Sequence, residues 1–264
     1  MDILEDINDI PEGLAVAEKF DAKKINIAKL ITNDHHSYVY LADNKAKAIQ
    51  SKDKETRMEP VIPYKNIERG VYYITGKSGT GKSLIALRVI ATQYHKLYPQ
   101  RNIFYCCATD LTDDENFEEV KFIKPLNPLK IYSLDMPQEE EKKMIKELLS
   151  NSLVIFDDLD MAPNDQKKIY SRLQGKLIEV GRKFKISVCI ISHLATNAHN
   201  TKMILNEIDL YFTFKDGLES NRLLTHYKKY KPEKLAGIKS QNPTWVCFNF
   251  RYNCVMTSHS LFLE

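Results

Sequence analysis

The chain has 264 residues, 43% of them hydrophobic and 28% charged, an ordinary globular composition with room for one large core and a small appendage. A formal charge of only +3 implies no attraction of the whole molecule to nucleic acid, so any such contact has to come from a local patch. An acidic N-terminus without an apolar h-region, no apolar stretch near ~18 residues, and five cysteines without metal-ligand spacing lead us to expect no signal peptide, no membrane span and free thiols in a reducing, intracellular setting.

In chain order, residues 1–62 alternate short apolar groups (Ile25, Ile27, Leu30 and Ile31; Tyr38, Val39, Tyr40 and Leu41) with a polar, lysine-rich stretch over 44–57. This pattern reads as an N-terminal extension with a flexible connector, leaving 63–264 as the main domain. From residue 62 onward, apolar runs of strand length (71–75, 103–107, 131–134, 153–156, 188–192 and 210–214) alternate with segments of helical period (82–98, 138–150, 165–181 and 218–230). Buried runs spaced by helices predict an α/β fold, a mostly parallel sheet flanked by helices. Within 165–181, Ile169, Leu173, Leu177 and Val180 recur on one face and form a core stripe. After Pro243 the texture changes: residues 245–250 and 254–257, separated by Arg251, Tyr252 and Asn253, predict a terminal β-hairpin.

Three of the strand ends carry chemistry. The run 71–75 enters Gly76-Lys77-Ser78-Gly79-Thr80-Gly81-Lys82-Ser83, which satisfies GxxxxGK[ST] between a strand and a helix. Backbone amides must curl closely around phosphate oxygens, and glycines at positions 76, 79 and 81 permit it. The helix N-terminus adds its positive end. Lys82 then reaches the outer phosphates and Ser83 offers its hydroxyl to Mg²⁺. The segment predicts binding of a nucleoside triphosphate, ATP, with magnesium.

The run 153–156 ends in Asp157 and Asp158, an acidic strand of Walker B type. Paired acids at the end of a buried strand require a cation, which magnesium supplies. Asp157 is the expected metal ligand, and Asp158 the group that orients or deprotonates the attacking water. The run 188–192 ends in Ser192 and His193, a polar tip expected beside the γ-phosphate. A guanine-reading NKxD after the P-loop is absent, as is an LSGGQ-like signature.

Residues 72–257 resemble the genome-packaging ATPases of large nucleo-cytoplasmic DNA viruses, within the FtsK-HerA superfamily of DNA pumps. The resemblance lies in Ile74 and Thr75 running into the P-loop, in the acidic strand, in Leu177 to Gly181 followed by Arg182, the strand ending Ser192-His193, and then Leu205-Asn206-Glu207. Tyr227 to Tyr230 and Trp245-Val246 fit the same scheme, while Lys183 stands where the scheme has histidine. The resemblance implies a homo-oligomeric ring of five or six subunits that hydrolyses ATP to drive double-stranded DNA into a capsid. The expected partners are sequence-independent DNA and capsid or portal-vertex proteins, and the expected place is the viral factory in the host cytoplasm. It further implies that Arg182 stabilises transition-state charge on a neighbouring subunit's ATP, with Glu207 at the same interface. For the DNA contact, the lysines between Lys228 and Lys239 are the candidates if that stretch is not simply a solvated loop. Two other readings remain open at this stage: an initiator or helicase-loader ATPase, which requires a helical C-terminal lid, and a nucleotide-binding assembly switch with little turnover.

Overall fold

The computed structural model describes residues 14–17, 25–31, 36–41, 48–50, 57–62, 68–108, 120–193, 201–218 and 222–263. The acidic residues 1–12, and parts of the lysine-rich stretch 44–57 and of the expected helix 218–230, lie outside them. Fourteen strands are described: β1 (Leu14–Ala17), β2 (Ile25–Ile31), β3 (His36–Leu41), β4 (Ala48–Gln50), β5 (Arg57–Pro60), β6 (Val71–Thr75), β7 (Asn102–Cys107), β8 (Ile123–Pro125), β9 (Ser152–Asp157), β10 (Ser187–Ser192), β11 (Leu210–Thr213), β12 (Val246–Asn249), β13 (Cys254–Thr257) and β14 (Ser260–Leu263).

Ten of these form one sheet in the order β4-β14-β13-β12-β11-β6-β10-β9-β7-β8. From β11 to β8 every neighbour is parallel. From β11 to β4 every neighbour is antiparallel. In β6, β9 and β10 every residue is buried, because helices cover both faces of a parallel sheet and leave no solvent side to favour alternation.

The helices explain which face is which. The helix α1 spans 82–97 and widens over Ile85–Ala91, where Thr92 N–H bonds the Leu87 carbonyl five residues back. Ile85, Leu87, Ile90 and Tyr94 bury one sheet face together with Ile27, Leu30, Val39 and Met58 of the N-terminal segment. The opposite face receives α3 (138–149), α4 (Asn164–Phe184), α5 (Thr201–Glu207) and α7 (Pro232–Ser240), with α2 (Pro128–Ile131) and the turn α6 (Leu223–Tyr227) beside them. In α4 the deepest stripe is Tyr170, Leu173, Gln174, Leu177, Ile178 and Gly181. Ile169 and Val180, expected in that stripe, pack half-buried at its margins.

The remaining strands, in the order β1-β3-β2-β5, make a small antiparallel sheet within the 1–62 segment. Its last strand is tied to the main body: Met58 N–H bonds the Ser258 carbonyl at 2.8 Å, and Gln93 on α1 bonds both Ile62 N–H and the Pro60 carbonyl. The lysine-rich stretch read as a flexible connector contributes β4, which closes the edge of the main sheet against β14.

Two expectations are corrected. The run 131–134 is not a strand. Asn127 caps Leu129 N–H at 3.0 Å and Pro128 occupies the first helical position, so a helical turn starts there and the edge strand falls earlier, at β8. Nor is 228–239 a loop throughout: Pro232 opens α7, whose Leu235 and Ile238 are buried, and only 228–231 lie outside a helix. The predicted hairpin is present as β12 and β13, and β14 adds a third antiparallel strand beyond it.

Candidate functional site

The strand order decides the site. Strand β10 lies between β6, which carries the P-loop, and β9, which carries the two aspartates. Parallel strands put all three C-terminal ends on one edge, the usual ligand edge of such sheets. His193 therefore enters between Lys82 and Asp158. Its Nε2 lies 3.0 Å from Asp158 Oδ1, and its Nδ1 lies 3.5 Å from Lys82 Nζ. Gly76 N–H bonds the Ser192 carbonyl at 3.3 Å, which joins the P-loop to the same strand tip.

Within the loop, Gly79 and Gly81 adopt φ of 74° and 93°, a region that disfavours any side chain, and their surroundings are open. Gly76 is required for a different reason. A Cβ there would stand 2.6 Å from Phe214 Cδ2 and 2.8 Å from Thr80 Oγ1. The Lys77 carbonyl accepts from Thr80 Oγ1 at 2.8 Å and from Lys82 Nζ at 3.0 Å, while Ser78 sits in the turn at the tip of the loop. Lys82 is 6% exposed. Burial pushes its amine below the usual lysine range, against the upward pull of Asp158 and Asp157.

Asp157 is the deepest charged group of the site, at 3% exposure. Its Oδ2 accepts from Ser83 Oγ at 2.7 Å and from the Tyr105 hydroxyl. Its Oδ1 is buried with no hydrogen-bond partner. Burial raises the carboxyl above the usual carboxylate range, and the bonds from Tyr105 and Ser83 partly offset this. A serine hydroxyl and an orphaned carboxylate oxygen, side by side, are hard oxygen donors of the kind Mg²⁺ takes. Asp158 follows in the left-handed region at φ 51°, which turns its side chain away from that of Asp157 and toward His193.

Arg182 is elsewhere. It closes α4 at the N-terminal edge of the sheet, separated from the P-loop by the length of β6, about 16 Å at 3.3 Å per residue. There its Nη2 lies 3.1 Å from Glu207 Oε2, and its side chain is 80% exposed. Glu207 also meets the buried Arg69 at 3.3 Å, and Arg69 donates in addition to the Ile178 and Ile186 carbonyls. Around them lies a cavity of about 600 Å³, lined further by Asp209 and Arg251. Arg182 and Glu207 thus form a cluster of their own and take no part in the nucleotide site of their own chain. Lys228, among the candidate DNA contacts, bonds the Leu205 carbonyl and stands over the Phe250 ring at 4.2 Å.

Sequence reasoning missed Tyr105, Arg69 and the packing role of Gly76. Tyr105 precedes the end of its strand by two residues and looks like any core aromatic. Only the register of β7 on β9, Tyr105 opposite Ile155 and Cys107 opposite Asp157, reveals its reach.

Fold and site together define an α/β P-loop nucleotide-binding protein. No protein-family model matches the chain. In sequence it is similar to the uncharacterized protein V3 of Sputnik virophage, 26% identical over 200 residues covering 72% of this chain and 76% of that protein. In structure it is similar to the genome packaging NTPase B204 from Sulfolobus turreted icosahedral virus 2. The complex of B204 with ATP-gammaS gives a TM-score of 0.45 at 10% identity over 72% of this chain and 97% of that one. The complex with sulfate gives 0.48 at 10% identity over 72% and 96%. The pCW3 conjugation coupling protein TcpA gives 0.41 at 14% identity over 90% and 77%. The fold assignment stands on the strand order and the loop geometry. Among the described residues no helix is long and apolar enough to cross a membrane.

Proposed function

We propose that the protein is an ATP-hydrolysing motor that drives double-stranded DNA into a viral capsid. The observation that carries hydrolysis is the contact row Lys82, His193, Asp158 beside the pair Ser83 and Asp157. A site that only bound nucleotide would need the P-loop alone. Here a second carboxylate is aimed, through a histidine, at the lysine of the phosphate cradle.

In this reading the loop amides and Lys82 bind the phosphates, and Ser83 with Asp157 Oδ1 holds Mg²⁺. When bound, the metal neutralises charge on the β- and γ-phosphates. Asp158 orients the attacking water and accepts its proton. His193, held between Asp158 and Lys82, links the state of the phosphate to the strand tip. The motif order from Arg182 through Ser192-His193 to Glu207 supports the packaging part of the reading. DNA is met through its phosphates and without sequence preference, with capsid or portal-vertex proteins as the other partners. Exposed Lys229, Lys231 and Lys234 are the remaining candidate contacts, since Lys228 is committed internally. The initiator reading requires a C-terminal helical lid, whereas residues 246–263 are three antiparallel strands of the main sheet.

Phosphate release measured with and without double-stranded DNA tests the proposal. Turnover stimulated by DNA is expected, and no turnover in either condition defeats it in favour of a switch. Lys82→Ala is expected to abolish nucleotide binding, while Asp158→Asn keeps binding and lowers kcat by at least ~100-fold. Equal loss of binding in both would show the division of roles to be wrong.

A further inference from the structure

The geometry points to Tyr105 as a positioning residue that fixes the orientation of the Asp157 carboxylate so that one oxygen stays turned to the metal, an inference that rests on the magnesium site proposed above. Tyr105 is 2% exposed and its ring lies in the core layer beneath α1. Its strand partner is Ile155, two residues before Asp157 on the same face of β9. Two residues of strand span about 6.6 Å, which is the reach of a tyrosine hydroxyl. The hydroxyl accordingly bonds Asp157 Oδ2.

That oxygen is thereby held twice, once by Tyr105 and once by Ser83 Oγ at 2.7 Å. Oδ1 is held by nothing and is fully buried. The two facts are complementary. A carboxylate torsion is soft and nearly two-fold, so one bond from Ser83 leaves the group free to swing when Ser83 turns its lone pair to a cation. A second bond from a rigid aromatic, anchored two residues down the sheet, stops the rotation and leaves Oδ1 as the free ligand. Outer bonds that orient metal ligands are as much a part of such sites as the ligands themselves. Packing alone would be met by phenylalanine, which would leave Oδ2 with Ser83 only.

The experiment uses the full chain with Mn²⁺ as the probe, titrated by electron paramagnetic resonance in the presence of a non-hydrolysable ATP analogue. Tyr105→Phe is expected to weaken Mn²⁺ binding about 10-fold while leaving metal-free affinity for the analogue unchanged. Ile155→Val, which removes a buried methyl from the same layer and touches no polar group, is expected to leave Mn²⁺ binding unchanged. In an Asp157→Asn background, Tyr105→Phe should add no further loss. Unchanged Mn²⁺ affinity in Tyr105→Phe, or the same loss in Ile155→Val, overturns the inference. If Asp157→Asn itself leaves Mn²⁺ affinity intact, the metal site of the proposed function fails, a result distinct from failure of the positioning role.

Discussion

Asp157 occupies a position that no stability argument would choose. Its carboxyl is buried, the burial raises its affinity for a proton above that of the unfolded chain, and one oxygen has no partner. With a raised folded pKa, the nucleotide-free chain is more stable where Asp157 is protonated and loses that contribution as pH rises through the folded pKa. Asparagine does not titrate. Asp157→Asn should therefore raise the melting temperature of the nucleotide-free chain at pH 7, and the difference from wild type should shrink on acidification. A gain that does not depend on pH would assign the effect to packing instead. If Asp157 holds the metal as proposed, stability is given up there for a ligand, as is usual at sites of chemistry.

Among the elements, α4 and β10 connect the two ends of the sheet, and their junction is built on Arg69. Its guanidinium, 9% exposed as a residue, donates to the carbonyls of Ile178 in α4 and Ile186 just before β10, and meets Glu207 at the end of α5. Gly181 makes room for it: a Cβ there would lie 3.2 Å from Arg69 Nε and 3.0 Å from the Ile186 carbonyl. Arg69→Leu would take the side-chain donor from two carbonyls, that of Ile178 keeping its helix bond, and remove one of the two cations on Glu207. We expect it to cost about 3 kcal/mol, read as a lower denaturant midpoint at unchanged m-value. A shift below a third of that would mean water replaces the guanidinium. At this scale the fully buried runs of β6, β9 and β10 were legible, since long apolar stretches without alternation have one explanation in an α/β chain. The run 131–134 departs from the strand its apolar content predicts because Asn127 and Pro128 impose a helix start.

For the whole molecule, the N-terminal edge of the sheet carries Arg182 in an exposed ion pair with Glu207, while the phosphate site lies at the other edge. An exposed pair is worth about 0–1 kcal/mol, so Arg182 can leave it at little cost, and Glu207 keeps Arg69 when it does. If Arg182 acts across a subunit boundary, Arg182→Ala lowers kcat by about 10³-fold. Mixing Arg182→Ala chains with Lys82→Ala chains then restores turnover that neither has alone. Mixed assemblies without rescue would mean that Arg182 serves only its pair with Glu207.

The amino-acid sequence by itself determined the phosphate cradle, the acidic strand and the polar strand tip, because each is a local pattern of residue types whose chemistry permits few substitutes. Only the tertiary structure decided that β10 lies between β6 and β9 and so brings His193 between Lys82 and Asp158. It also decided that Tyr105 reaches Asp157, and that Arg182 stands at the far edge beside Glu207. Those are consequences of strand order and register, which depend on how helices cover both faces of the sheet at once and on pairings between residues far apart in the chain.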